Sequence, residues 1–196
     1  MDILQHIDGE AYEAVLWLRE NQGLFSRIVY EPILTQIKMK NMKDATYLES
    51  NIDFNDMKAF VCQNRNDLVL FMNISRELNL NINIVCPPTD ALDEYRPDYP
   101  IHRIKSYGFT SYVTDLYDAP LTIHQYLCEN YNLHNIPVGG DMVDQTQKQF
   151  ISSGLGINKF CSREYAYSVQ RSKYSGLSSM SVVALKESKC GVGVFT

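Results

Sequence analysis

Lys58-Ala59-Phe60-Val61-Cys62, then Asn66-Asp67-Leu68-Val69-Leu70-Phe71-Met72-Asn73-Ile74-Ser75-Arg76-Glu77-Leu78, then Ile82-Asn83-Ile84-Val85-Cys86 closed by Pro87-Pro88, is the stretch that decides the fold. The first run is short, apolar and β-prone, as a buried strand requires. In the second, Leu68, Phe71, Met72 and Ser75 fall on one helical face behind Asn66, a good N-cap residue type. The third is a strand stopped by two prolines. Strand, helix and strand over so short a span predict a βαβ crossover with parallel neighbours.

Working outward, a helix is predicted over 8–22: Asp8 caps it, Ala11, Val15 and Leu18 share a face that Trp17 widens, and Gly23 is placed as its stop. After Pro32 the apolar period changes to two, with Ile33, Thr35, Ile37 and Met39 alternating against Leu34, Gln36, Lys38 and Lys40, so 33–40 reads as a half-buried strand. A short helix follows over 44–49. The stretch 87–100 carries four prolines and four acidic residues, which fits an exposed loop and no regular element. Beyond it come a short helix over 101–106, a turn at Gly108 and a helix started by Pro120 and running to Tyr131. Gly139-Gly140 interrupts the chain, Asp141 is placed as the cap of a helix through Ile151, and Gly154-Leu155-Gly156 turns into strands over 157–161, 164–174 and 179–185, the last two joined at Ser175-Gly176. The fold class is α/β (α+β mixed): two small α/β subdomains, at 1–90 and 101–188, the second ending in a β-ribbon. The tail 189–196 receives no role.

The chain has 196 residues and 22.5 kDa, room for one domain or two small halves. With 45% hydrophobic and 21% charged residues, it is not a disordered chain. No apolar run approaches the ~18 residues of a membrane span, and Met1-Asp2-Ile3 opens no secretory signal. Five scattered cysteines (Cys62, Cys86, Cys128, Cys161, Cys190) with no C-x-x-C pair support neither a zinc ribbon nor a disulfide framework, and fit a reducing intracellular compartment.

Charge is uneven. Residues 147–196 hold seven Lys/Arg (Lys148, Lys159, Arg163, Arg171, Lys173, Lys186, Lys189) against Glu164 and Glu187, while the whole chain carries −5. A basic quarter on an acidic chain points to an anionic partner, or to a solvated strand face. On an untwisted strand, Tyr165, Tyr167, Val169, Arg171 and Lys173 share one face. Aromatics interleaved with cations suit stacked bases and phosphates. The alternative is that Tyr165, Tyr167 and Val169 face the core and the cations emerge at the strand end.

Enzyme signatures are absent: there is no phosphate-binding G-x-x-x-x-G-K-[ST] loop, no G-x-G-x-x-G after a strand and no G-x-S-x-G elbow. His124 and Cys128, one helical turn apart, with His134 beyond, are the one Cys/His group from which a small α/β enzyme or ligand binder could be built. No carboxylate stands at a fixed spacing to orient a base, and core packing explains the group more simply. Asp115 and Asp118 read as turn residues rather than a carboxylate pair. No catalytic residue, cofactor or metal site is expected.

Several blocks in order resemble the hinge domain of the structural-maintenance-of-chromosomes (SMC) family, most closely its Smc-five branch: Ala14-Val15-Leu16-Trp17-Leu18-Arg19-Glu20-Asn21, Glu31-Pro32-Ile33, Asp56-Met57-Lys58-Ala59-Phe60-Val61, Tyr107-Gly108-Phe109-Thr110-Ser111-Tyr112 with Asp115-Leu116-Tyr117-Asp118-Ala119-Pro120, Tyr126-Leu127-Cys128 and Ile136-Pro137-Val138-Gly139. The resemblance spans about 11–175. It implies an SMC hinge with two α/β subdomains, excised from a chain whose ATPase heads and long coiled-coil arms lie elsewhere, with Ile3, Leu4 and Ile7 a stub of one arm. It further implies a nuclear chromosome-maintenance and DNA-repair complex, a heterodimer with a Smc-six hinge, and DNA binding that favours single strands. On that basis the DNA-binding candidates are Arg171, Lys173, Lys159, Arg163 and Tyr167. The dimer-interface candidates are Tyr174, Gly139, Gly140 and Phe160. The glycine clusters of many such hinges are thin here, with Gly139-Gly140 and Gly154/Gly156 in their place. A homodimerising scaffold without nucleic acid is the third reading.

Overall fold

The computed structural model describes residues 2–87, 95–171 and 178–185; of Asp2, Ile3, Arg171 and Ser178 it describes the backbone alone. The turn at Ser175-Gly176 and the tail 189–196 lie outside the described residues.

A short helix α1 (Asp2–Ile7) runs into α2 (Gly9–Asn21). Asp8 caps α2 as the sequence predicts: its carboxylate accepts from the Ala11 N–H at 3.0 Å, and its second oxygen holds the Lys58 ammonium at 2.8 Å. Ala11, Ala14, Val15 and Leu18 are buried, and Trp17 stacks on Phe71 at 6.1 Å. Gly23 does not stop the helix, which tightens into a 3-10 turn at Gln22–Leu24. The Gln22 side chain then closes the following loop by bonding both the Val29 carbonyl and the Val29 N–H.

The strand predicted over 33–40 is instead a helical turn, α3 (Ile33–Gln36), and a two-residue strand, β1 (Lys38–Met39). The reason is burial. A strand would turn Leu34 to solvent, whereas the helical turn after Pro32 buries Ile33, Leu34 and Ile37 together, and Thr35 closes it on the Pro32 carbonyl. Then come α4 (Ala45–Glu49) and α5 (Phe54–Met57).

The βαβ unit is present as β2 (Phe60–Val61), α6 (Arg65–Glu77) and β3 (Ile84–Val85). The strands are parallel, with Phe60 facing Ile84 and Val61 facing Val85. The cap of α6 is Asn64 rather than Asn66, its side chain accepting from the Asp67 N–H at 2.8 Å. The helix predicted over 101–106 is two 3-10 turns, Ile101–Arg103 and Lys105–Tyr107, ended by Gly108 at φ +95°.

Next come β4 (Phe109–Tyr112), β5 (Tyr117–Asp118), α7 (Leu121–Tyr131), β6 (Pro137–Gly139), α8 (Met142–Ser152), β7 (Lys159–Cys161), β8 (Tyr165–Arg171) and β9 (Ser178–Ala184). The strands form three sheets: β1 with β5, β2 with β3, and a five-stranded sheet ordered β4-β6-β7-β8-β9. The crossover unit and the ribbon therefore belong to different sheets. The β1–β5 pairing, Lys38 with Asp118 and Met39 with Tyr117, crosses between the halves of the sequence.

Two cores result. The larger gathers α2, α3, β2 and α6 with Val113, Ile123, Leu127 and Val138 from beyond residue 100. The smaller comprises Ile104, Phe109, Tyr112, Val143, Phe150, Phe160, Tyr167 and Val169. No helix among the described residues is long and apolar enough to cross a membrane.

Candidate partner edge and nucleic-acid surface

The strand β9 pairs with β8 along its whole length, from Tyr165 opposite Ala184 to Arg171 opposite Ser178. It is the last strand of its sheet, so its far side carries unpaired N–H and C=O groups among the described residues. Ser179 through Ala184 are all exposed, with Met180 at 41%, Val182 at 44% and Val183 at 58%. Nothing in Ser-Ser-Met-Ser-Val-Val-Ala guards that edge: it has no lysine, proline or other charge, the usual devices against unplanned strand pairing.

Strand parity sorts the ribbon into two faces. Val182 stands opposite Tyr167, and Met180 opposite Val169. Tyr167 and Val169 are buried in the smaller core, so Met180 and Val182 extend an apolar face beyond the point where α8 covers it. On the other face Val183 and Ser181 join Ala166, Ser168 and Lys159 along a cleft of about 760 Å³ that Ile7 and Phe54 also line.

The candidates named from the sequence are placed unevenly. Tyr167 does not offer a stacking face: it is 4% exposed, its ring stacks on Phe160 with centroids 4.8 Å apart, and its hydroxyl donates to Asp144 at 2.6 Å. Phe160 is fully buried, packed edge-on against Phe109 and Phe150, so it is a core residue rather than an interface residue of this chain. Gly139 is likewise an internal packing position. A Cβ there would meet the Gly108 carbonyl oxygen, and Val143 Cγ2 at 2.6 Å, so β4, β6 and α8 approach only because it is glycine. Gly140 has open space around it. Lys159 is exposed and lines the cleft. Arg163 is exposed and paired with Asp141 at 3.3 Å, a contact worth little in water. Asp141 makes no side-chain cap to α8. Arg171 ends β8, while Lys173 and Tyr174 lie outside the described residues.

The Cys128 group is built for packing. Cys128 is 1% exposed, and burial pushes its thiol up to about 12. Its sulfur lies 3.5 Å from His124 Nε2, and His124 Nδ1 lies 3.3 Å from the Tyr117 hydroxyl. Burial also lowers the pKa of His124 and His134, favouring neutral imidazole. A protonated thiol beside a neutral ring is no activated nucleophile. Among the described residues no group of three or more His, Cys, Asp and Glu could hold a metal ion. Asp115 accepts from the Tyr112 N–H at 2.8 Å, and Asp118 lies 3.8 Å from Lys40, as turn and surface residues do.

Met180, Val182 and Val183 were not singled out from sequence. Met180 and Val182 alternate with serines as in a half-buried strand, and only the absence of a further strand among the described residues shows that they stay exposed.

No family model matches the chain. In sequence it is 26% identical over 187 residues to the structural maintenance of chromosomes protein 5 of Arabidopsis thaliana, covering 93% of this chain, and 27% identical over 143 residues to that of Caenorhabditis elegans, covering 73%. The chain spans only 17% and 13% of those relatives' lengths. In structure it is similar to the S. pombe Smc5/6 hinge domain, with a TM-score of 0.79 at 19% identity over 91% of this chain and 68% of that one. The fold is thus that of an SMC hinge. Within that fold the sequence likeness is to Smc5 proteins from several species, and it supports a hinge of the Smc5 kind.

Proposed function

We propose that this hinge heterodimerises with a Smc-six hinge and binds DNA, single strands preferentially, through its basic C-terminal strand, within a chromosomal, nuclear complex that maintains and repairs DNA. The subdivision at 1–90 and 101–188 is part of this reading, with the proline-rich stretch as the loop between subdomains. The observation that carries the partnership is β9: a long, uncharged, exposed edge whose Met180 and Val182 continue the apolar face of the smaller core. Strand addition at such an edge supplies main-chain hydrogen bonds, and alternate side chains supply specificity. The similar S. pombe structure is that of a Smc5/6 hinge domain, which supports a partner of the Smc-six kind.

The test is to mix this chain with a Smc-six hinge at micromolar concentration and measure the mass of the eluting species, with and without single-stranded DNA. A 1:1 complex is expected, with weaker self-association. Separate elution rejects the partnership, and a 1:1 complex that does not bind DNA rejects the nucleic-acid part of the reading.

A further inference from the structure

The five cysteines are scattered in sequence, yet the fold brings two of them level. The β2–β3 register pairs Phe60 with Ile84 and Val61 with Val85, and the Cys62 N–H donates to the Val85 carbonyl at 2.8 Å. One further step along both strands sets Cys62 opposite Cys86. Facing residues of a parallel pair project to the same side, and neighbouring strands lie about 4.7–4.9 Å apart. That spacing falls inside the Cα separation of roughly 4.4–6.8 Å that a disulfide spans.

The two thiols differ in access. Cys62 is fully buried, and burial, with Cys86 and Asp67 close by, pushes its thiol up to about 12. Cys86 is half-buried at the edge of the larger core, followed at once by Pro87. Both are thiols in this structure.

We propose that Cys62 and Cys86 are a reversible dithiol–disulfide pair, a modification site whose co-reactant is a small-molecule disulfide such as oxidised glutathione. Cys86, the less buried of the two cysteines, attacks as thiolate one sulfur of the reagent, and a first glutathione thiolate leaves. Cys62 then gives its proton to solvent as its sulfur attacks the Cys86 sulfur, and the second glutathione thiolate leaves. Two protein thiols are oxidised to one disulfide, and the reagent is reduced to two thiols. The bond fastens the residue after β2 to the residue just before the proline-rich stretch. An external dithiol reverses it.

The chain is equilibrated in glutathione buffers of graded ratio, quenched by alkylation, digested and mapped by mass spectrometry, with thermal unfolding followed in parallel. Expected are a Cys62–Cys86 linked peptide that vanishes on reduction, a loss of two alkylatable thiols, and a higher unfolding midpoint in the oxidised chain. Cys86→Ser, at a half-buried position that preserves the fold, removes all three changes. Cys62→Ala leaves Cys86 carrying glutathione. The proposal is overturned if wild-type Cys86 carries glutathione while Cys62 stays a thiol, if either cysteine pairs with Cys190 instead, or if both stay reduced in the most oxidising buffer.

Discussion

The Tyr131 hydroxyl donates to Asp56 Oδ2 at 2.6 Å, joining the end of α7 to α5 across 75 positions of the sequence. The Tyr126 hydroxyl donates to the same oxygen at 2.9 Å, and the Asn83 amide reaches the other at 3.1 Å. One carboxylate thus ties a helix from beyond the proline-rich stretch to the turn preceding the βαβ unit. Burial, reinforced by the Asp56 bond, pushes the Tyr131 hydroxyl up to about 12, so it remains a donor throughout the physiological range. Asp56→Ala is expected to cost about 1–3 kcal/mol, because it strands two tyrosine hydroxyls, while Tyr131→Phe costs about 1 kcal/mol. Urea unfolding of the variants measures both, and a double variant no worse than Asp56→Ala alone shows that the two residues act through one bond.

A second carboxylate makes the fold acid-sensitive. Asp67, 3% exposed, accepts from the Ser26 N–H at 2.9 Å, the Ser26 hydroxyl at 2.9 Å, the Arg27 N–H at 3.0 Å and the Asn64 amide at 2.6 Å. Burial alone would raise its pKa, but these bonds outweigh burial and hold it below the ordinary value. The folded pKa lies below the unfolded one, so the stabilisation is full above about pH 4 and fades as pH falls through the folded value. Asp67→Asn is expected to lower stability at neutral pH by about 1–3 kcal/mol and to flatten the stability–pH curve on the acid side. An unchanged acid limb in the variant would assign the acid sensitivity to other groups.

Legibility from sequence followed how locally each element is determined. The βαβ unit and α2 were readable because their apolar periodicity lies within one short stretch, whereas the end of α2 and the cap of α6 fall at other residues than the local pattern predicts. The stretch 33–40 was misread because alternate apolar residues after a proline suit a strand, and only burial of Leu34 in the larger core favours the helical turn. β4 and β6 were not anticipated: Pro137-Val138-Gly139 has no strand signature, and it pairs with β4 because Gly139 lets Gly108 approach. The candidate site was legible only as a charge excess and a striped strand. Whether Tyr167 faced the core depended on α8, which no local pattern fixes.

That core placement can be measured. Phe160→Ala removes a ring stacked on Tyr167 and is expected to cost about 3–5 kcal/mol. Tyr167→Phe keeps the stack and loses only the bond to Asp144, at a cost of about 0.5–1.5 kcal/mol. Tyr167→Phe is expected to leave any DNA affinity unchanged. A large loss of binding with little loss of stability would return Tyr167 to the binding surface.

The edge prediction separates folding from association. Met180 and Val182 are about two-fifths exposed, so Val182→Lys is expected to change the stability of the single chain by no more than about 0.5 kcal/mol. In the heterodimer the same charge would sit on a paired strand, unpaired and desolvated, and association should weaken at least tenfold. Sedimentation of wild-type and variant chains with a Smc-six hinge reads this directly. Equal association by both would move the interface away from β9.

DNA binding should be local, because the seven cations of 147–196 sit on a chain whose net charge is −5. Among the four candidate cations, Lys159 lines the cleft and Arg163 stands beside Asp141, so Arg171 and Lys173, alternating on one strand face in the sequence, are the pair whose reversal is most informative. If about three to five phosphates are neutralised, the log–log salt slope for single-stranded DNA is roughly −2 to −3.5, at ~0.7 per phosphate. Arg171→Glu with Lys173→Glu is expected to weaken binding and flatten that slope, while the far-ultraviolet spectrum and the heterodimer remain intact. Lys159→Glu should have a smaller effect of the same sign if the cleft face carries part of the strand. Fluorescence titrations at several salt concentrations give affinity and slope together, and the slope identifies the chemistry of each side chain. Removing a stacking ring lowers affinity at every salt concentration alike, whereas removing a cation that holds a phosphate lowers it most at low salt. Unchanged affinity and slope in the doubly reversed, still dimeric protein would remove the basic strand from the DNA-binding surface.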